Sequence, residues 1–219
     1  MIPVQPAPEP PSFDAGVRIP GLRAIAELSG KSFHPPRTSG RPFSKVSVTE
    51  GEIPPDKFPS YWTDALDDLM TAYQAVCAYS CFRIHPTTGA KSVDHFVPKS
   101  QDWKQVYEWS NYRLSSSIMN ALKGEYTDVL DPFTIGEGWL QLEPVGYSVS
   151  ANPALPSDVQ SLIAQTIQRL RLNSAEMCRN REEDATRYLD GEVSLNILEQ
   201  ESPFVAFELR RMGMLSGAT

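Results

Sequence analysis

Residues 92–124 read SVDHFVPKSQDWKQVYEWSNYRLSSSIMNALKG. The stretch opens on a β-rich run ending in Asp94-His95-Phe96. It closes on LSSSIMNALKG, an amphipathic helical pattern that Gly124 terminates. A polar connection containing Trp103, Tyr107 and Trp109 joins the two. Extended backward, residues 81–98 (CFRIHPTTGAKSVDHFVP) hold two β-rich runs separated by Pro-Thr-Thr-Gly. That pattern predicts a hairpin in which Gly89 supplies a positive φ. Strand, turn, strand, loop and helix make a ββα unit, too small to bury a core alone, so flanking segments must cover it.

Upstream, Trp62, Leu66, Leu69, Tyr73, Val76 and Cys77 recur at spacings of three and four, which predicts a helix over 60–80. Asp64, Asp67 and Asp68 sit in its first turns, and Ser60 or Thr63 is positioned to cap it. Of the 19 prolines, 12 fall in residues 1–60, which argues for an extended arm lying on the core. Within that arm LRAIAEL predicts a short helix ending at Gly30. Downstream of Asp131-Pro132-Phe133 the stretch WLQLEPVGYSV is uninformative. Ser157 then caps a helical pattern through Val159, Leu162, Ile163, Ile167, Leu170 and Leu172. After a break near Asn173 it continues through Met177, Cys178 and Tyr188, and FVAFELRRMG is a last helix. The expected class is α+β, mainly α, in three parts: a Pro-rich arm (1–59), the ββα core (60–135) and a helical C-terminal region (136–219).

A hydrophobic share of 41% with 21% charged residues is ordinary for a globular chain of 219 residues. No apolar run reaches the roughly 18 residues of a membrane helix. MIPVQPAPEPP has neither the basic start nor the apolar run of a signal peptide, so a cytoplasmic protein is expected. Three cysteines leave one unpaired in any disulfide scheme, consistent with a reducing compartment. With 20 basic and 27 acidic residues the net charge is −7. Phosphate binding runs on Lys and Arg, so this balance argues against a broad nonspecific grip on DNA and leaves a local basic patch or a partner to supply it.

An Asp-His pair ends a strand, Asn111 opens the next element, and Asn120 sits in a helix three residues before Lys123. An imidazole can take a proton from water at neutral pH, and hard oxygen ligands such as Asp94 and an Asn amide suit magnesium or manganese. These are the ingredients of a single-metal phosphodiester hydrolase. A lone Asp-His dipeptide is usually a surface or hydrogen-bonded pair; the ordered Asn111, Asn120 and Lys123 favour the functional reading. His34 reads as structural and His85 as an exposed turn residue. For Trp103, Tyr107, Trp109 and Tyr112, packing ranks ahead of base stacking. Arg169, Arg171, Arg179, Arg181 and Arg187 make the late helices locally basic, but Glu176, Glu182, Glu183 and Asp184 interleave with them, so a solvated face is equally plausible.

On VDHFVPKS, SNYRL and MNALKG, in that order, the chain resembles the HNH endonucleases of the ββα-metal superfamily. YWTDALDDLMTAYQAVCAY before them, with DVLDPF and TIQRLRLNSAEMCRNREE after, resembles the nuclease subunits of Septu-type and retron-associated antiphage defence systems. The likeness spans roughly residues 55–185 and implies a metal-dependent endonuclease, DNA favoured and tRNA or other RNA the alternative, partnered by an ABC- or SMC-like ATPase. A noncatalytic assembly subunit keeping the same fold is the reading from a different class. By resemblance, His95 is the general base, and Asp94 and Asn120 hold one Mg²⁺ or Mn²⁺. Asn111 ties the loop and orients the base, while Lys123 and Lys99 contact substrate phosphate. Relatives carry two Cys-x-x-Cys pairs that bind a structural zinc; here Cys77, Ser80, Ser116 and Met119 stand at those positions, so no structural zinc is expected.

Overall fold

Residues 1–10 carry no helix or strand, as proline at five of the first eleven positions dictates. A π-helical turn, Asp14–Arg18, then runs into helix α1 (Ile19–Ser29), which stops at Gly30 with φ 72°. The computed structural model describes residues 1–85 and 87–215. The arm is anchored by Phe13, buried edge-on against Trp109 and Tyr112 with ring centroids 5.6 Å away in each case. Gly21 permits the close approach of α1: a Cβ there would lie 2.3 Å from the Tyr107 ring.

The helix expected over 60–80 is shorter. A 3-10 segment, Tyr61–Ala65, leads into helix α2 (Leu66–Ala72), and the chain then turns away. Gln74 and Ala75 both take positive φ (52° and 58°), which ends the helix although neither residue is a turn former. Ser60 occupies the cap position without a side-chain bond.

The expected hairpin within 81–98 is also corrected. Strand β1 (Lys91–His95) pairs antiparallel with strand β2 (Tyr112–Ser116), in a register that sets His95 opposite Tyr112 and Asp94 opposite Arg113. The earlier run makes only an isolated bridge, Arg83 to Val76. Pro86, in the proposed turn, lies outside the described residues. Gly89 does not take the positive φ expected of it; it is needed because a Cβ would lie 2.6 Å from the His85 backbone nitrogen. Helix α3 (Ser117–Lys123) follows β2 directly, capped by the Ser116 hydroxyl, which accepts from the Met119 amide, and closed at Gly124.

Strands β3 (Leu140–Leu142) and β4 (Val149–Ala151) form a second small antiparallel sheet. Helix α4 (Ser157–Arg169) begins at Ser157, with Pro156 rather than Ser157 at the cap position. After a turn holding Arg171 at φ 49°, helix α5 (Ala175–Leu189) starts from a Ser174 cap. Helices α6 (Leu195–Glu201) and α7 (Pro203–Arg211) complete a mixed α/β, mostly helical fold. One cluster of buried apolar side chains takes in Phe13, Leu69, Leu114, Leu140, Ile163 and Phe204, so arm, central unit and C-terminal helices share it. A smaller cluster joins α5, α6 and α7 through Ala185, Tyr188, Leu198 and Leu209. Among the described residues, no helix is long and apolar enough to cross a membrane.

Candidate active site

Strand β1 delivers Asp94 and His95 as neighbours, and pairing to β2 buries both. They line a cavity of about 270 Å³ together with Trp62, Ser92, Lys99 and Asn120. Helix α3 contributes Asn120 because it follows β2 without a linker and lies back against β1.

His95 Nε2 lies 2.9 Å from the carbonyl oxygen of Val106. A carbonyl can only accept, so Nε2 carries the proton, and the neutral ring presents an unprotonated Nδ1. Among the described residues no hydrogen bond engages Nδ1. The ring is wedged edge-on between Trp62 (4.9 Å between centroids) and Tyr112 (5.2 Å), and its burial lowers the pKa to about 4. The imidazole is therefore neutral at pH 7, the form a base requires.

Asn111 stands immediately before β2 and is 4% exposed. Its Oδ1 accepts from the Val97 amide (2.8 Å), and its Nδ2 donates to the carbonyls of Val97 and Gln105 (3.0 Å each). Its own carbonyl accepts from Phe96. Every polar atom of this side chain thus clamps the loop after β1 to the loop whose next residue, Val106, holds His95. The Tyr112 hydroxyl reinforces that point, donating to the same Val106 carbonyl at 2.8 Å.

Asn120 Nδ2 donates to the Ser92 hydroxyl (2.6 Å) and the Val93 carbonyl (3.2 Å). Because the Val93 oxygen is an acceptor, it fixes which end of the amide faces the strand and leaves Oδ1 without a donor among the described residues. Asp94 is almost wholly buried, its carboxylate receiving the Tyr79 hydroxyl and standing 3.3 Å from Lys123 Nζ. Burial pushes the Asp94 carboxyl up and the Lys123 ammonium down, each opposed by the other's charge.

Lys123 is not where a phosphate-binding lysine would be expected. It is fully buried, and its Nζ donates to the carbonyls of His95 and Phe96 at 2.8 Å each. Three oxygens satisfy the three ammonium protons, so Lys123 ties α3 to the end of β1 and neutralises Asp94. Lys99 does border the cavity, its Nζ 4.4 Å over the Trp62 ring, and it makes no ion pair among the described residues.

At the positions compared with zinc ligands, Cys77 Sγ accepts from the Ser116 amide at 3.4 Å, Met119 is fully buried, and the Ser80 hydroxyl accepts from Phe82. His85 is exposed, with Thr87 bonded to its Nδ1. Of the four aromatics considered for stacking, Tyr107, Trp109 and Tyr112 are core residues, while Trp103 is partly buried against that core. The sequence reading missed Tyr79, whose apolar surroundings gave no signal of its bond to Asp94. It also missed Trp62, assigned to a helix stripe but in fact a wall of the cavity, and Glu125, which lines the cavity just past α3. No protein-family model matches the chain, and no curated protein matches it in sequence.

Proposed function

We infer that the protein is a metal-dependent endonuclease with a ββα-metal core of the HNH type. The observation that carries the reading is the neutral His95 imidazole, held through Nε2 by the Val106 carbonyl, in one cavity with Asp94 and Asn120. His95 Nδ1 takes a proton from a water whose oxygen bonds to the phosphodiester phosphorus as the bond to the leaving sugar oxygen breaks, that oxygen taking a proton from solvent, and Asn111 holds the loops that orient His95. Lys99, which borders the cavity, offers a positive charge to the substrate phosphate.

The oxygen donors are of the type that a hard divalent cation takes. Asp94 would supply a carboxylate, whose oxygens Tyr79 and Lys123 engage, and Asn120 its unbonded amide oxygen, the ligand chemistry of Mg²⁺ or Mn²⁺. When bound, the ion neutralises charge developing on the phosphate. DNA is the favoured substrate, with tRNA or other RNA the alternative, since such a site grips the sugar-phosphate backbone rather than reading bases. The net charge of −7 supports delivery by a partner, for which an ABC- or SMC-like ATPase of an antiphage system is proposed.

A second reading, a noncatalytic assembly subunit, is favoured by Lys123, which already neutralises Asp94 without a metal. Incubation with plasmid DNA, single-stranded DNA and total tRNA, with Mn²⁺ or Mg²⁺ and with EDTA, separates the two. Cleavage of any substrate that EDTA abolishes supports the enzyme; absence of cleavage with every substrate and metal, in the presence of the ATPase partner, supports the subunit.

A further inference from the structure

Beside the candidate active site lies a second and larger hollow, about 1040 Å³, between the end of α3 and the end of α4. Gly124 and Glu125 line both cavities, so the two adjoin. At the junction Gly124 takes φ 49°, ψ −125°, a conformation that side chains resist, and Glu125 borders both hollows.

The far wall is an aromatic and cationic surface. The Arg169 guanidinium lies 4.0 Å over the Tyr126 ring, and Tyr126 is 40% exposed. Arg169 is held in place by Oδ2 of Asp128 (3.0 Å), to which Gln165 also donates (2.6 Å), while the buried Oδ1 has no partner among the described residues. Arg171, two residues on and past the end of α4, is exposed and makes no ion pair or side-chain hydrogen bond among the described residues. An exposed ring backed by a fixed guanidinium, next to an uncommitted cation, is the combination that binds an unpaired strand by stacking and phosphate contact. Glu125 disfavours a phosphate directly at the junction, which puts the phosphate contact at Arg171.

We propose that this hollow is a subsite for the unpaired nucleic-acid strand flanking the scissile phosphate, with a base stacked on Tyr126 and a phosphate on Arg171. The proposal rests on the nuclease reading for its substrate, but its test is a binding measurement that needs no cleavage. The full chain carrying His95→Ala is titrated into a fluorescent single strand of roughly 12 nucleotides, as DNA and as RNA, and into the DNA duplex. Tyr126→Ala and Arg171→Gln are each expected to weaken single-strand binding roughly fivefold or more, while Tyr126→Phe and Arg171→Lys retain it. Arg171→Gln also flattens the salt dependence by about 0.7 in the log-log slope. Failure of the parent protein to bind, unchanged affinity in both loss variants, or equally tight duplex binding overturns the subsite. In parallel, bis(p-nitrophenyl) phosphate, small enough to engage the inner cavity alone, is offered with Mn²⁺ to the protein with His95 intact. Strand binding without hydrolysis of that diester contradicts the nuclease reading and leaves the subsite standing; hydrolysis without strand binding does the reverse.

Discussion

The carbonyl oxygen of Val106 lies 2.9 Å from Nε2 of His95, and Asn111 holds the residue before it through Gln105. The tautomer of the ring is therefore set by a loop, and the loop by one buried amide. The dependence runs from Asn111 to the loop to His95, and each link can be broken separately.

Asn111→Ala leaves the Val97 amide and the Val97 and Gln105 carbonyls without their partner in a buried site. The expected loss of stability is about 2–4 kcal/mol, read from urea denaturation. Asn111→Asp keeps the acceptor but loses both donated bonds and sets a charge against two carbonyls, so it is expected to be no milder. A loss under about 0.5 kcal/mol, the usual range for a surface change, contradicts the clamp.

Lys123 distinguishes a structural ammonium from a substrate-binding one. Lys123→Ala strips the counter-charge from buried Asp94 and is expected to cost about 3–5 kcal/mol, visible as a large fall in melting temperature. A solvent-facing phosphate ligand instead loses substrate affinity with the melting temperature unchanged. The buried geometry predicts the first outcome.

Asn120→Ala removes one oxygen donor and leaves Asp94 in place. Its expected effect is to raise the Mn²⁺ concentration for half-maximal cleavage by at least about tenfold, the scale on which even outer partners of a metal act. Identical metal dependence in the variant and the parent protein removes Asn120 from the ligand set.

Acid should loosen the arm before the core. Glu27 accepts from Arg37 at 3.0 and 2.8 Å and from the Phe43 amide at 2.9 Å, and the Arg37 guanidinium holds its carboxyl below the ordinary 4.5. A depressed folded-state pKa contributes stability that is present above the unfolded value and lost as pH falls through the folded one. Hydrogen exchange at the Phe43 amide, corrected for the intrinsic rate, is therefore expected to rise below about pH 4.5, and Glu27→Gln should raise it already at pH 7. Unchanged protection in both cases rules out this tie.

Local chemistry was legible where one residue decides the conformation. Gly30 and Gly124 end helices, and Ile25 and Leu28 show the buried stripe of α1. The Asp-His pair closing a strand, and Asn111 standing at the start of the next, were legible for the same reason. What escaped was decided over distance. Strand β1 prefers a partner at 112–116 to the adjacent run, because that pairing buries Val93 against the core and brings α3 onto the sheet. Gln74 and Ala75 reverse the chain at positive φ without glycine, so a continuing apolar stripe looked like a continuing helix. Lys123 fits an exposed helical position by type; only the carbonyls at the end of β1 explain its burial.

The central claim is that His95 acts as the base in a cavity it shares with Asp94 and Asn120. The most direct test compares single-turnover cleavage by the parent protein and a His95→Ala variant shown to be folded by circular dichroism and melting, in Mn²⁺ and with any required ATPase partner. Loss of general-base action predicts a fall of about 10²–10⁴-fold in the cleavage rate, with substrate binding retained. Equal rates in the two proteins contradict the assignment of His95.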